Sequence, residues 1–213
     1  MVFKKLFSKK QPTSWLTNYP VYEQPHTAPF CKMTAAQAKE NFAYLMANKE
    51  SRVDALANLL NGFNTDLKSL MAEDSADSLV KALYTWSGEH WPQYFDSSLH
   101  NNNHWIESAR TDDNLIYSVI TDTAIALGEA IIQRRPTYSW GIDNDKSNRT
   151  MMSYQRLVLL ATRVADPTRQ VEIDIEFNVV GRFLRADTVH QRRDEVWLEL
   201  VNDCISGGYE GIH

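Results

Sequence analysis

One stretch constrains this chain more than any other. Between Leu115 and Ile132, apolar residues recur at three- and four-residue spacing: Leu115, Ile116, Val119, Ile120, Ala124, Leu127, Ile131 and Ile132. On an α-helix that spacing makes a broad apolar face about six turns long. Thr111-Asp112-Asp113-Asn114 precedes it with capping side chains and with acids that suit the positive end of a helix dipole. Gln133-Arg134-Arg135-Pro136 closes it with two cations and a helix breaker. So apolar a helix, over about 112–135, must be surrounded by other elements. The chain is therefore expected to be mainly α: a single-domain multi-helix bundle around this central helix.

Composition agrees with a globular chain: 213 residues, 43% hydrophobic and 23% charged, with few Gly or Pro. The formal charge of −5 argues against sequence-independent nucleic-acid binding. Cys31 and Cys204 stand near opposite ends. A single bridge fits that count, but two reduced thiols in a cytoplasmic protein is the reading adopted. No uninterrupted apolar run of about 18 residues occurs, so stable membrane insertion is not expected. Residues 1–10 carry four lysines among Val2, Phe3, Leu6 and Phe7. They lack the apolar core and cleavage site of a signal peptide. Such a segment suits contact with an anionic membrane surface, but a mobile or lightly docked terminus is the default reading. With Pro12, Pro20, Pro25 and Pro29, residues 1–33 form a basic N-terminus and a Pro-rich extended arm, ahead of an α-helical domain over 34–213.

Helical order begins at Thr34, whose spacing to Gln37 fits a capping box, with Ala38, Phe42, Leu45 and Met46 as the apolar stripe. A second start is read at Ser51-Arg52-Val53-Asp54, ending at Asn61-Gly62, which predicts an antiparallel helix pair. Shorter helices are expected over about 65–72 and from about 74 to 90. Residues 91–110 look irregular. The β-capable pieces Tyr138–Ile142 and Arg156–Thr162 allow a small β-hairpin across about 138–162. From Val171 to Leu184 the pattern is double. Val171, Ile173, Ile175 and Phe177 alternate with acids as a strand would, while Asp166-Pro167 and the four-residue recurrence of Val171, Ile175, Val179 and Phe183 favour a helix. A helix over about 167–185 is adopted, with the strand as the alternative. A last helix is expected from about 194 to 205.

Catalytic signatures are scarce. There is no Gly-rich phosphate loop and no Gly-x-Ser-x-Gly elbow. His100 and His104 have a metal-like spacing, but three asparagines separate them and favour a loop. Glu172, Asp174 and Glu176 could supply carboxylates for acid–base work, but a solvated acidic face is the default reading. Asp143 and Asp145 resemble loop ligands for a hard cation without the full calcium-loop pattern. Glu129 follows Gly128 inside the apolar helix, where a carboxylate is either buried against an arginine such as Arg156 or placed on the exposed edge. Cys204 falls on the apolar stripe of the last helix, the place of an inert thiol. Neither a cofactor nor a metal is implied.

Several segments nevertheless resemble a known set of proteins. Thr34-Ala-Ala-Gln-Ala-Lys-Glu-Asn-Phe42, Ser51-Arg-Val-Asp-Ala-Leu56, Ala126-Leu-Gly-Glu-Ala-Ile-Ile132, Tyr138-Ser-Trp-Gly141 and Ser153-Tyr-Gln-Arg-Leu-Val-Leu159 look like small bacterial α-helical proteins of the toxin-immunity type. The likeness spans about 34–60 and 115–184. It implies an immunity protein that neutralises a cognate protein toxin by stoichiometric binding, not an enzyme. An acidic surface would speed association with a basic partner, and aromatics would anchor the interface. Trp140, Asp143, Asp145, Glu172 and Glu176 are the expected partner-binding residues. The competing reading is an enzyme, metal-dependent or not, with a site around His100, His104 and Glu129. A third is a membrane-associated adaptor acting through residues 1–10.

Overall fold

The computed structural model describes residues 15–28, 32–96, 104–184 and 196–211. The basic terminus, Cys31, His100 and the Asn101–Asn103 run lie outside them. Among the described residues the fold is mainly α, with seven α-helices and one small three-stranded antiparallel sheet. In chain order these are α1 (Ala35–Asn61), α2 (Leu67–Ala72), α3 (Asp77–His90), α4 (His104–Glu107), α5 (Ile116–Arg134), β1 (Ser139–Ile142), β2 (Leu157–Thr162), β3 (Gln170–Ile173), α6 (Ile175–Phe183) and α7 (Val196–Ser206).

The helix anticipated around 112–135 is α5, entered through a 3-10 turn at Asp112–Leu115. Every residue from Ile116 to Gly128 is buried. Elements close on it from all sides: α1, α6 and α7 pack directly against it. The segment Asp112–Arg134 is long and apolar enough to cross a membrane by length and composition, with mean hydropathy 1.6 over its most apolar window, yet 89% of that window is buried inside the protein. Its apolar atoms are satisfied by the core, at roughly 1.5–3 kcal/mol for each large side chain withdrawn from water.

The antiparallel pair expected on either side of Ser51 is instead one 27-residue helix. Its start is the capping box read from the sequence: the Gln37 backbone N–H donates to Thr34 Oγ1, and Thr34 N–H to Gln37 Oε1. Nothing between Asn48 and Ser51 breaks a helix. Both polar side chains bond back to their own turn, Asn48 Nδ2 to the Tyr44 carbonyl and Ser51 Oγ to the Asn48 carbonyl, each at 2.8 Å. Gly62 caps the far end. Met46, assigned to the apolar stripe, is 45% exposed.

The hairpin is present and a third strand extends it. β1 and β2 pair antiparallel with Trp140 opposite Leu159, and β2 pairs with β3 with Leu159 opposite Ile173. The double pattern after Val171 is resolved by division. Residues 170–173 form β3, burying Val171 and Ile173, and α6 begins two residues later. The continuous helix over 167–185 is therefore corrected. Asp174 makes the switch: its carboxylate accepts the Phe177 backbone N–H at 2.8 Å as the N-cap of α6.

α5 and the sheet meet at Gly128. A Cβ there would lie 2.3 Å from Trp140 Cζ2, so only glycine lets the indole lie on the helix. Trp140 Nε1 then donates to Glu129 Oε1 at 2.7 Å, and Lys49 Nζ pairs with Glu129 Oε2 at 2.5 Å. Glu129 thus has a cationic partner, but the cation is Lys49 rather than Arg156. At the C-terminal end of α5, the Arg134 guanidinium donates to the carbonyls of Met71, Glu73 and Asp74, fastening the α2–α3 connection.

Candidate functional site

The central helix carries a buried polar stripe within its apolar surface: Ser118, Thr121 and Asp122. Asp122 is fully buried and has three donors. Arg52 Nε reaches Oδ1 at 2.8 Å, and Arg52 Nη2 and Tyr19 Oη reach Oδ2 at 2.6 and 2.5 Å. The same guanidinium donates to the Pro20 and Val21 carbonyls, and Ser118 Oγ accepts the Tyr22 N–H. One ion pair therefore joins α1, α5 and the arm at residues 15–28. Burial pushes Asp122 up to about 6, against the pull of Arg52. Asn41, next along the buried face of α1, holds the arm through His26, accepting its N–H at 3.0 Å and donating to its carbonyl at 2.9 Å.

Past the arm, a cleft opens between α1, α4, α6 and the end of the hairpin loop. Arg110, Arg156 and Glu176 supply its charges, and Trp105, Tyr154 and Gln155 much of its wall. Its enclosed volume is about 30 Å³, room for a group of a few heavy atoms. Arg156 lies 4.4 Å over the Trp105 ring, with Nε 3.1 Å from Asp174 Oδ2 and Nη2 3.0 Å from Glu176 Oε2. Glu176 Oε1 accepts the Thr121 hydroxyl at 2.5 Å. Arg110 differs from its neighbours. Its one hydrogen bond among the described residues runs from Nη1 to Thr121 Oγ1 at 3.2 Å, and burial pushes its pKa down. Chemically, the cleft is a set of fixed donors in a partly dry setting, where charged hydrogen bonds are strong.

Beside the cleft runs the loop from Asp143 to Arg156. Asp143 has no exposed surface, and its carboxylate accepts the Asp145 N–H at 3.0 Å, Asn148 Nδ2 at 3.0 Å and Ser153 Oγ at 2.6 Å. Its backbone is bonded to Gln155 and Arg156 across the loop. Gln155 occupies the left-handed region at φ 60°. Outward from this hub the loop shows Asp145, Lys146, Arg149 and, at 56% exposure, Met151.

The expected partner-binding residues separate into two groups. Trp140 is half-buried on α5 and Asp143 is wholly interior, so both hold the scaffold instead of facing solvent. Asp145 is exposed and caps the turn at Lys146–Asn148, its carboxyl lowered by the Ser147 N–H. Glu172 is half-buried on β3, and burial with the charges of Asp143 and Asp145 raises it. Glu176 belongs to the cleft, on α6, whereas the other four lie on the sheet and its connecting loop. Of the alternative set, His100 lies outside the described residues, and His104 and Glu129 are far apart. His104 Nε2 lies 3.2 Å from Asn114 Oδ1, ahead of α5, whereas Glu129 is about four turns further along that helix. No group of three or more His, Cys, Asp or Glu side chains that could hold a metal occurs among the described residues.

Arg52, Asp122, Asn41 and Arg110 escaped the sequence reading. Three of them left a signal. Asn41 and Arg52 fall on the buried stripe of α1 with Ala38, Leu45 and Leu56, and Asp122 interrupts an apolar helix at its midpoint. A polar residue in register with a core stripe must find a partner. Arg110, in an irregular segment, left none. Comparison with protein-family models, with curated proteins and with solved structures returned no match for this chain.

Proposed function

We propose that the protein is a stoichiometric protein-binding module of the toxin-immunity type, a single-domain helical bundle around α5 that neutralises a protein toxin in the cytoplasm. The observation that carries this reading is the preorganised loop 143–156. Asp143 holds a long irregular segment in one conformation from within, while Asp145, Lys146, Arg149 and Met151 face outward. A loop ordered before encounter loses little entropy on binding, and an exposed methionine ringed by charges suits an interface centre with a polar rim. Glu172 adds acidic charge near Asp145, which favours a basic partner. The contact residues of this reading are Asp145, Met151 and Glu172, with Trp140 and Asp143 acting behind them.

The test is co-expression with the product of the adjacent gene. The expected result is survival of cells that the partner alone kills, and a one-to-one complex by size-exclusion chromatography with light scattering. Asp145→Lys combined with Met151→Ser should weaken that complex at least about tenfold while the circular dichroism spectrum is unchanged. A chain that neither binds nor protects would end this reading.

A further inference from the structure

We propose that the cleft at Arg110 is a carboxylate-binding site. The contrast among arginines points to it. Every other buried or half-buried arginine among the described residues has its guanidinium matched: Arg52 by Asp122, Arg135 by Glu210, Arg156 by Asp174 and Glu176, Arg134 by backbone carbonyls, and Arg182 by Ser87 and the Tyr84 carbonyl. Arg110 donates once, to a neutral hydroxyl. A guanidinium offers five N–H groups in a planar fork, and a half-buried one with a single neutral acceptor and the Tyr117 ring 5.9 Å away leaves most of that fork unmatched. Glu176 is close enough for its charge to act on Arg110, but its two oxygens are held by Thr121 and Arg156.

Two residues that line the cleft also carry a polar atom without a partner among the described residues. The Trp105 indole N–H is buried and unbonded, and so is Gln155 Oε1, on a residue kept at positive φ. Unpaired polar groups and backbone strain collect where a ligand completes the bonding. A carboxylate matches the fork of Arg110, and the Trp105 N–H and Gln155 Oε1, each sealed from solvent, would complete their bonding by turning toward the ligand. The enclosed volume of about 30 Å³ admits such a head group, with the rest of the ligand left toward solvent. Ala28, Met33 and Leu157 line the same cleft and limit competing water. A small organic acid and the carboxylate of a peptide share this chemistry. The site stands whether or not loop 143–156 engages a partner.

The experiment is a titration of the intact ¹⁵N-labelled chain with sodium acetate, and separately with acetamide, at constant ionic strength. The Arg110 Nε–H and Trp105 Nε1–H resonances are followed. Acetate should shift both saturably, and acetamide, the neutral isostere, should not. Arg110→Gln should weaken acetate binding at least about tenfold, and Arg110→Lys should weaken it less. A tripeptide with a free C-terminus is compared with its C-terminal amide and with succinate. Tighter binding of the free-acid tripeptide than of acetate assigns the site to peptide carboxylates, and tighter binding of succinate assigns it to small acids. Equal shifts with acetate and acetamide, or shifts that grow linearly without saturating, overturn the proposal. That comparison uses the native chain and does not depend on the variants folding.

Discussion

The pair Arg52–Asp122 shows how much one buried charge can demand of its surroundings. Taking either ion out of water costs several kcal/mol, offset here by two charged hydrogen bonds between the partners, one from Tyr19, and two from Arg52 to the arm. Removing one partner should therefore be worse than removing both. Asp122→Leu is expected to lower unfolding stability by about 3–5 kcal/mol, because Arg52 stays buried without its anion. Arg52→Met with Asp122→Leu should lose less, although the Pro20 and Val21 carbonyls lose their donor. Urea unfolding of the two variants checks this, and a double variant as unstable as the single one would count against it. The pH dependence has a definite sign. With its native value raised to about 6 from 3.8, Asp122 binds a proton more tightly folded than unfolded. Its contribution to stability is greatest below about 4 and falls as pH rises toward about 6.

Elements meet through single residues that a sequence displays without explaining. Gly128 looks like a weakness in the best helix of the chain, since glycine costs about 1 kcal/mol against alanine in a helix interior. Its reason is the indole of Trp140 laid across it. Gly128→Ala is thus expected to destabilise by about 1–3 kcal/mol despite the gain in helix propensity. A thermal midpoint raised rather than lowered would show that the indole moves aside freely. The loop 143–156 depends in the same way on Asp143. Asp143→Ala removes the acceptor of three hydrogen bonds. Hydrogen exchange should then accelerate over 144–155 while α5 and α1 keep their protection, and unchanged exchange in the loop would assign its order to another cause.

Legibility followed the range of the physics at this scale. The cap at Thr34, the central helix, the short helix near 67–72 and the hairpin were readable because their causes lie within a few residues. The split at Asp174 was half readable: both periodicities were present, but which residue divides them depends on Leu159 and Leu160 pairing with Ile173 and Glu172 from another strand. The false break at Ser51 came from reading a polar turn as an end, when its side chains bond back to their own helix. The cleft was the least legible part. Arg110, Arg156 and Glu176 come from three separate segments, and only tertiary packing brings them together.

Across the whole molecule, both described ends are held by charge. Near the N-terminal side the arm is clamped through Tyr19 and Arg52, and near the C-terminal side Glu210 accepts from Arg135 Nε at 2.8 Å and from Thr137 Oγ1 at 3.0 Å. These bonds hold the Glu210 carboxyl below the usual range, with that from Arg135 the largest influence. The sign is opposite to that of Asp122. A lowered native value gives stability that is full above the unfolded pKa of about 4.5 and is lost as pH falls through the native one. Glu210→Gln should flatten the acid side of a melting-temperature profile below about pH 4.5. An acid side identical to that of the native chain would show that this contact carries no pH dependence.

The midpoint carboxylate of α5 has one more consequence, which begins before the protein is folded. As the nascent chain leaves the ribosome, Asp112–Arg134 emerges before α6 and α7 exist to cover it, with the length and hydropathy of a bilayer-spanning segment. What tells it apart is Asp122, close to the centre of that segment. An aspartate at mid-helix opposes insertion by the translocon by about 2.5–3.5 kcal/mol. The residue whose burial costs the finished fold stability thus also makes the central helix a poorer candidate for insertion into lipid during synthesis.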